Sequence, residues 1–189
     1  MIRVKEEVEK LKNKFEYLNC LETGTIRSFD EKHESTRHIS EVIGESGDLK
    51  SLDIEPNHIG VSKSICVGLT NIEWIECDSL DYLSKDENKY HFVLLDSVNN
   101  PEHIMKEFKL IANRVNVGGS IIIDDAGTDL QGNYEVNVND PYQAKKGWDV
   151  WDWCQDNEVD SMVVVGGHST QILIPVTENN SKIFEDKLK

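Results

Sequence analysis

The stretch Phe92–Asn100 reads FVLLDSVNN, and the stretch Gly118–Asp129 reads GGSIIIDDAGTD. In each stretch a continuous apolar run ends on aspartate, at Asp96 in the first and at Asp124 and Asp125 in the second. Continuous runs of Val, Leu and Ile are typical of parallel strands that are covered on both faces. Open parallel sheets bind their ligands outside the carboxyl ends of the strands. Both stretches therefore predict buried parallel strands whose carboxylates lie at the ligand-binding edge of a sheet.

The rest of the chain predicts an alternation of strands and helices around these two strands. Strand patterns occupy 17–23, 49–55, 72–78, 90–96 and 120–125, and helical patterns occupy 1–16, 35–44, 57–69, 100–115 and 148–157. Such alternation produces right-handed crossovers and a parallel sheet. Two apolar runs within 161–176, joined by GGHS, predict an antiparallel hairpin instead. We therefore expect one α/β domain over residues 1–189, a Rossmann-like, doubly wound, mostly parallel sheet of about seven strands that ends in this hairpin.

The composition limits the partners of this domain. The 189 residues include 20 Lys and Arg against 35 Asp and Glu, a formal net charge of −15. Such a surface repels nucleic-acid phosphates and anionic lipid, and no apolar run approaches the roughly 20 residues of a membrane span. The four cysteines form no CxxC pair, which argues against a zinc site and against a disulfide framework. We expect a soluble cytoplasmic protein that binds a small molecule, with neither nucleic acid nor membrane as a partner.

Five motifs accompany the predicted strands in order. They are CLETGT at 20–25, LKSLDIEP at 49–56, IECDSLDYL at 75–83, FVLLDSVN at 92–99 and GGSIIIDDAG at 118–127. Together they resemble the class I S-adenosylmethionine-dependent methyltransferases, and within them the small O-methyltransferases related to the macrocin and catechol enzymes. The resemblance covers residues 17–125. It implies that the chain binds S-adenosylmethionine (SAM) and methylates a small hydroxylated acceptor such as a sugar or a glycan.

The resemblance assigns the first acids of the predicted edge to the cofactor. Glu22, Gly24 and Thr25 correspond to the loop that holds the methionine part of SAM. In that loop Glu22 would anchor the methionine ammonium, and Gly24 would let the backbone approach the ligand. Asp53 corresponds to the acid that accepts both ribose hydroxyls, and Glu55, two residues later, is the alternative.

Further cofactor contacts are implied along the same edge. Asp78 corresponds to the acid that accepts the adenine amino hydrogen, with Ser79 beside it, and Asp96 is expected beside the methyl donor. Ser35 and Thr36 open a helix, where they either contact the methionine carboxylate or cap that helix. An Asp after a strand also commonly forms a turn or caps the next helix, so a structural role is the alternative for each acid.

The resemblance also implies a divalent metal ion. In the macrocin- and catechol-type relatives, acids at the ends of two neighbouring strands hold such an ion, and the corresponding residues are Asp96, Asp124 and Asp125. Three hard oxygen ligands suit Mg²⁺, which would lower the pKa of the acceptor hydroxyl and orient its oxygen. Asp96 is thus a predicted catalytic residue, and so is His103, as general base or substrate contact. The alternatives are that Asp124 or Asp125 only caps a turn and that His103 is a solvated helix residue.

The acceptor side of the site is predicted from the remaining segments. The polar segment 126–147 reads as an irregular loop beside the acceptor, and its Lys145 and Lys146 either contact an anionic or sugar acceptor or face solvent. His168 and Gln171 either line the pocket or follow the polarity of the hairpin. A chain of this length leaves little for a substrate domain. This loop, the N-terminal helix or a second subunit of a homo-oligomer must therefore complete the site.

One departure from the family pattern leaves a second function open. The usual glycine-rich first loop is reduced to Gly24, followed by TIRSFDEKHEST. The same departure argues against NAD, whose pyrophosphate needs a GxGxxG turn at a helix N-terminus. The alternative to an enzyme is a non-catalytic, methyltransferase-like domain that binds a nucleoside or serves in an assembly. A phosphoryl-accepting receiver domain is disfavoured, because its acid pair should end the first strand and not the fifth.

Overall fold

The strands form one seven-stranded sheet in the computed structural model, which describes residues 2–29, 34–126, 146–166 and 169–188. The strands are β1 Leu18–Thr23, β2 Gly47–Asp53, β3 Ile72–Glu76, β4 Tyr90–Leu95, β5 Val115–Ile123, β6 Met162–Gly166 and β7 Ser169–Pro175. Their order in the sheet is β3-β2-β1-β4-β5-β7-β6. The pairs among β1 to β5 are parallel, whereas β7 is antiparallel to both β5 and β6. The predicted fold class, including the C-terminal hairpin, is confirmed.

Helices connect and flank these strands. Within the described part of the chain they are α1 Ile2–Lys12, α2 Ser35–Ile43, α3 Pro56–Ile65, α4 Ser79–Leu83, α5 Pro101–Ile111, α6 Trp148–Asp156 and α7 Glu178–Lys187. α5 begins as the sequence predicts, because the Asn100 side chain accepts from the His103 N–H and Pro101 opens the helix. None of these described helices has the length and apolar character that crossing a lipid bilayer requires.

The apolar run of β4 contributes to two cores, because successive strand residues point to opposite faces of the sheet. Val93 and Leu95 belong to a core that also contains side chains of α4, α5, α6 and α7. Phe92 and Leu94 belong to a core that contains side chains of α1 and α2. All four side chains are fully buried, and each contributes about 1.5–3 kcal/mol. Coverage on both faces therefore explains why this strand is apolar throughout.

Three elements differ from the sequence-based prediction. β5 begins at Val115 and not at 120, because Gly118 and Gly119 lie inside the strand and do not end the preceding helix. The pairing of β5 with β4 shifts register between Tyr90 and Phe92, and Gly118 has a φ of +90° beside that irregularity. Neither α4 nor α7 is predicted, since α4 has five residues and α7 buries few side chains.

Part of the predicted acceptor side lies outside the described residues. This applies to most of the loop predicted at 126–147, including Lys145, and to His168 in the hairpin. The predictions made for them remain predictions.

Candidate functional site

The carboxyl ends of the parallel strands meet at one edge of the sheet. Thr23 at the end of β1 is paired with Leu52 of β2 and Leu95 of β4, and Leu95 is paired with Ile123 of β5. The chain leaves β1 toward one side of the sheet and β4 toward the other. This edge therefore contains the topological switch point, where doubly wound sheets bind ligands.

A cavity of about 310 Å³ opens at this edge and is called the edge cavity below. Its lining includes Gly24, Asp53, Asp78, Ser79, Ser97 and His103. Four predicted cofactor residues are thus brought together, whereas Glu22, Thr25 and Asp96 are not among the described residues that line it. Another cavity, of about 420 Å³, lies at the amino ends of the strands. We assign it no role, because parallel sheets bind ligands at the opposite edge.

Gly24 allows the loop after β1 to lie directly against the loop after β4. Its φ is +83°, in the left-handed region. A Cβ at this position would overlap the carbonyl oxygen of Asp96 and lie 2.8 Å from its carbonyl carbon. Glycine meets both constraints, because it lacks the Cβ and adopts a positive φ at little cost. The single glycine that remains of the predicted loop is therefore required by packing.

Asp53 lines the edge cavity and is oriented by neighbouring groups. Its Oδ2 accepts from the Thr25 N–H at 3.2 Å. Its Oδ1 accepts from the Glu55 N–H at 2.8 Å and lies 3.2 Å from His58 Nδ1. A carboxylate has about four acceptor positions, so Oδ2 retains capacity for a ligand donor. Thr25 and Glu55 thus position Asp53 through their backbone N–H groups.

Asp78 is the N-cap of α4 and also lines the edge cavity. Its Oδ1 accepts from the N–H groups of Leu80 at 2.9 Å and Asp81 at 3.1 Å. Its Oδ2 makes no hydrogen bond to any residue in the described part of the chain. The capping alternative is therefore correct for this acid, and one of its oxygens still remains for a ligand.

His103 is part of a hydrogen-bonded group on the cavity wall and is not a solvated helix residue. Its Nε2 lies 3.1 Å from Ser79 Oγ and 3.4 Å from Glu107 Oε1. Glu107 is fully buried, and its Oε2 accepts from Thr23 Oγ1 at 3.2 Å. The pairing with Glu107 raises the pKa of His103 above its ordinary value, against an opposing effect of burial.

Glu22 is fully buried beneath this edge. Its Oε2 accepts from Thr36 Oγ1 at 2.7 Å and from Ser51 Oγ at 2.9 Å, and its Oε1 accepts from Ser35. Burial raises the pKa of Glu22 to about 7, although the three hydroxyl groups act in the opposite direction. Ser35 and Thr36 do not cap α2, whose N-cap residue is Glu34. A direct contact between Glu22 and a methionine ammonium would require these hydroxyl groups to rearrange.

The three predicted metal ligands come together around a lysine that was not assigned to them. Lys146 Nζ donates to Asp96 Oδ1 and lies 3.9 Å from Asp125 Oδ2. Asp124 Oδ1 accepts from Gln171 Nε2 at 2.9 Å and from the Asp125 N–H at 3.0 Å. The Lys146 side chain is fully buried. We call Asp96, Asp124, Asp125 and Lys146 the lysine–carboxylate cluster.

The charges of the lysine–carboxylate cluster influence one another. Burial disfavours the Lys146 ammonium, but the attraction of Asp96, Asp125 and Asp124 outweighs it and raises the pKa of Lys146. Burial, together with Asp124 and Asp125, raises the pKa of Asp96 to about 6, although Lys146 acts in the opposite direction. Lys146 is therefore a cation at neutral pH. Its burial excludes the alternative that it faces solvent, whereas a contact with an acceptor remains a prediction.

The lysine–carboxylate cluster does not fit the predicted Mg²⁺ ion. Mg²⁺ binds oxygen ligands at about 2.0–2.1 Å, so an ion shared by Asp96 and Asp125 would require the space that the Lys146 ammonium takes. One oxygen of Asp124 already accepts two hydrogen bonds. Within the described ranges, no group of three His, Cys, Asp or Glu side chains is placed to hold a metal ion.

Lys146 was missed as a partner of Asp96 because the two residues are 50 positions apart. The structure shows close packing at the glycine that follows it. A Cβ at Gly147 would lie 2.6 Å from Ala126 Cβ and 2.7 Å from Ile172 Cδ1. The chain therefore packs against the end of β5 and against β7 at this point, which places Lys146 at the edge of the sheet.

The chain shares its fold with solved structures to which its sequence is only 10–17% identical. No protein-family model and no curated protein matches the chain. The O-methyltransferase TomG from Streptomyces achromogenes, solved in complex with SAM, superposes with a TM-score of 0.64 at 17% identity, over 93% of this chain and 79% of TomG. An rRNA methylase from Streptococcus thermophilus gives a TM-score of 0.66 at 11% identity, over 93% of this chain and 95% of that one.

A third solved structure widens the range of methylated atoms. The N-methyltransferase NodS from Bradyrhizobium japonicum gives a TM-score of 0.60 at 10% identity, over 93% of this chain and 96% of NodS. At these identities the similarity establishes the fold alone. Because one of the three proteins is an rRNA methylase, the fold does not exclude a nucleic-acid partner.

Proposed function

We propose that this chain, whose fold is that of the class I SAM-dependent methyltransferases, binds SAM in the edge cavity and methylates a small hydroxylated acceptor. The proposal rests on one observation. Asp53, Asp78 and Ser79 lie together on the wall of the edge cavity, at the switch point. The resemblance implies the same residues for the nucleoside. TomG, a protein of this fold, was solved with SAM bound.

The nucleoside part of SAM carries hydrogen-bond donors. Acceptor positions on the wall of the edge cavity that the described residues leave unused would accept from these donors. Asp53 Oδ2 would accept from the ribose hydroxyls, and Asp78 Oδ2 from the adenine amino group. His103 is bonded to Ser79, the neighbour of Asp78. We therefore place His103 at the adenine end, as a binding contact and not as the base. The Oγ of Ser97, on the same wall, has no hydrogen-bond partner among the described residues and would meet the ligand.

The chemical step needs a base near the methyl group. In an in-line displacement, the acceptor oxygen bonds to the methyl carbon as the carbon–sulfur bond breaks, and S-adenosylhomocysteine (SAH) is released. The acceptor proton must then leave. Asp96 follows β4 at the switch point, and Lys146 pairs with its Oδ1. We assign receipt of the proton to Asp96 Oδ2, with the predicted loop 126–147 or a second subunit completing the acceptor site.

Calorimetric titration with SAM and SAH tests the cofactor site. We expect saturable binding of both by the wild-type protein. The Asp53→Ala variant should lose about tenfold or more in affinity, because it removes acceptors of the ribose hydroxyls. Asp48→Asn is the matched control, since Asp48 lies on β2 at its amino end, away from the edge cavity. Absence of binding by a wild-type protein with a folded circular-dichroism spectrum would refute the proposal.

The reduced glycine loop favours a second candidate, a non-catalytic domain that binds the nucleoside. The two functions differ in turnover. SAH release in the presence of hydroxylated sugars and phenols, with loss of turnover but retained SAM affinity in Asp96→Asn, would support the enzyme. Tight SAM binding without SAH release for any acceptor, alone or in a complex with a partner protein, would support the binding domain.

A further inference from the structure

We propose that Lys146 is a resident cation that takes the place of a divalent metal ion at the ends of β4 and β5. On this proposal the lysine–carboxylate cluster is complete without Mg²⁺, and any activity of the chain is independent of added metal. Lys146 then acts as a positioning residue, because it holds Asp96 and balances its charge.

The first argument is spatial. The Lys146 ammonium donates to Asp96 Oδ1 and is 3.9 Å from Asp125 Oδ2, so it lies between carboxylates that come from two neighbouring strands. Its side chain has no exposed surface. The following residue, Gly147, packs against Ala126 and Ile172 too closely to admit even a Cβ. The backbone next to Lys146 is thus fixed to the sheet, which keeps the start of its side chain close to the carboxylates.

The second argument is electrostatic. Three carboxylates gathered at one edge repel one another unless a cation balances them. A divalent ion and an ammonium group would perform the same task, and both at once would repel each other at close range. Asp124 is also engaged, since Gln171 Nε2 donates to its Oδ1 at 2.9 Å. An amide donor at this position is suited to a carboxylate that binds no metal ion on that oxygen.

The test measures metal binding directly and does not depend on methyl transfer. Mn²⁺ would be titrated into the protein and the free ion followed by electron paramagnetic resonance, with thermal unfolding recorded in EDTA, Mg²⁺ and Ca²⁺. We expect the wild-type protein to bind no Mn²⁺ in the millimolar range and to unfold at the same temperature in all three solutions. Lys146→Ala should bind Mn²⁺ at least about tenfold more tightly, because it exposes the carboxylates to the ion.

Lys106→Ala is the matched control, since it removes one positive charge from an exposed pair with Glu102. It should bind Mn²⁺ no better than wild type. The proposal would be overturned if the wild-type protein bound Mn²⁺ or Mg²⁺ saturably and the Asp124→Asn variant did not. This result does not depend on whether Lys146→Ala folds. If wild type and a folded Lys146→Ala both fail to bind Mn²⁺, the cluster was never a metal position and the replacement is also refuted. Cofactor titration remains the separate test of the proposed function.

Discussion

The carboxylates near the switch point differ in the groups that balance their charge. Asp53 accepts from backbone N–H groups, and Asp96 pairs with the buried ammonium of Lys146. Glu22 accepts from three hydroxyl groups in an environment without exposed surface. Hydroxyl groups carry no net charge, so they offset only part of the cost of burying the ionised Glu22 carboxylate, and its pKa is raised.

Because the pKa of Glu22 is raised in the folded protein, we expect the free energy of unfolding to depend on pH through this residue. Its pKa is about 7 in the folded protein against an ordinary value of 4.5. Because the folded state binds the proton more tightly, stability falls as pH rises from the unfolded pKa through the folded one. The interval of 4.5 to about 7 corresponds to roughly 3 kcal/mol. We expect Glu22→Gln to raise the free energy of unfolding, relative to wild type, at about pH 8 more than at about pH 5.

Urea denaturation at the two pH values measures this difference. Glu16→Gln is the control, since Glu16 is exposed, and it should show little difference between the two conditions. If Glu22→Gln were equally destabilising at both pH values, the Glu22 carboxylate would have to be charged and stabilising in the folded protein.

At the scale of elements, the close contact between the loops after β1 and β4 shapes the edge. The Asp96 N–H donates to the Thr23 carbonyl at 2.9 Å, and Gly24 lies against the Asp96 carbonyl. The Gly24 N–H in turn donates to the Leu52 carbonyl of β2 at 2.8 Å. Three strands are thereby tied together beside the edge cavity, and one side-chain atom at position 24 would separate them.

The predicted consequence is that Gly24→Ala is more destabilising than Gly44→Ala. Both glycines have a positive φ, +83° and +56°, but only position 24 has backbone atoms within 4 Å of an added Cβ. Gly44→Ala should therefore lose about 1–3 kcal/mol, because φ +56° with ψ −135° is a conformation that essentially only glycine adopts. Gly24→Ala should lose about 2 kcal/mol more, because the added atom overlaps the Asp96 carbonyl. Chemical denaturation compares the two, and equal losses would show that the loops separate without cost.

For the molecule as a whole, the net charge of −15 is the property that bears most on partners. An rRNA methylase shares this fold, so the fold alone does not exclude a nucleic-acid partner. Binding to a phosphate backbone draws on Lys and Arg contacts and releases counterions, and this chain has 20 basic against 35 acidic residues. Its overall field therefore opposes the approach of RNA.

We accordingly expect no measurable binding to labelled single-stranded or duplex RNA at near-physiological salt, by fluorescence anisotropy. SAM would be included so that a cofactor-dependent site is not overlooked. Affinity in the micromolar range or tighter that weakens steeply with added salt would contradict this expectation, since it would reveal a basic surface that the net charge conceals.

The sequence by itself determined that parallel strands alternate with helices and that a row of acids lies at the carboxyl ends of these strands. These follow from local patterns, because an apolar run that is covered on both faces is visible in a few consecutive residues. The role of each acid was decided by tertiary structure. Lys146 reaches Asp96 across 50 residues, and hydroxyl groups from α2 and β2 surround Glu22. The charge state and partners of a buried carboxylate depend on groups distant in the chain, and no local pattern encodes them.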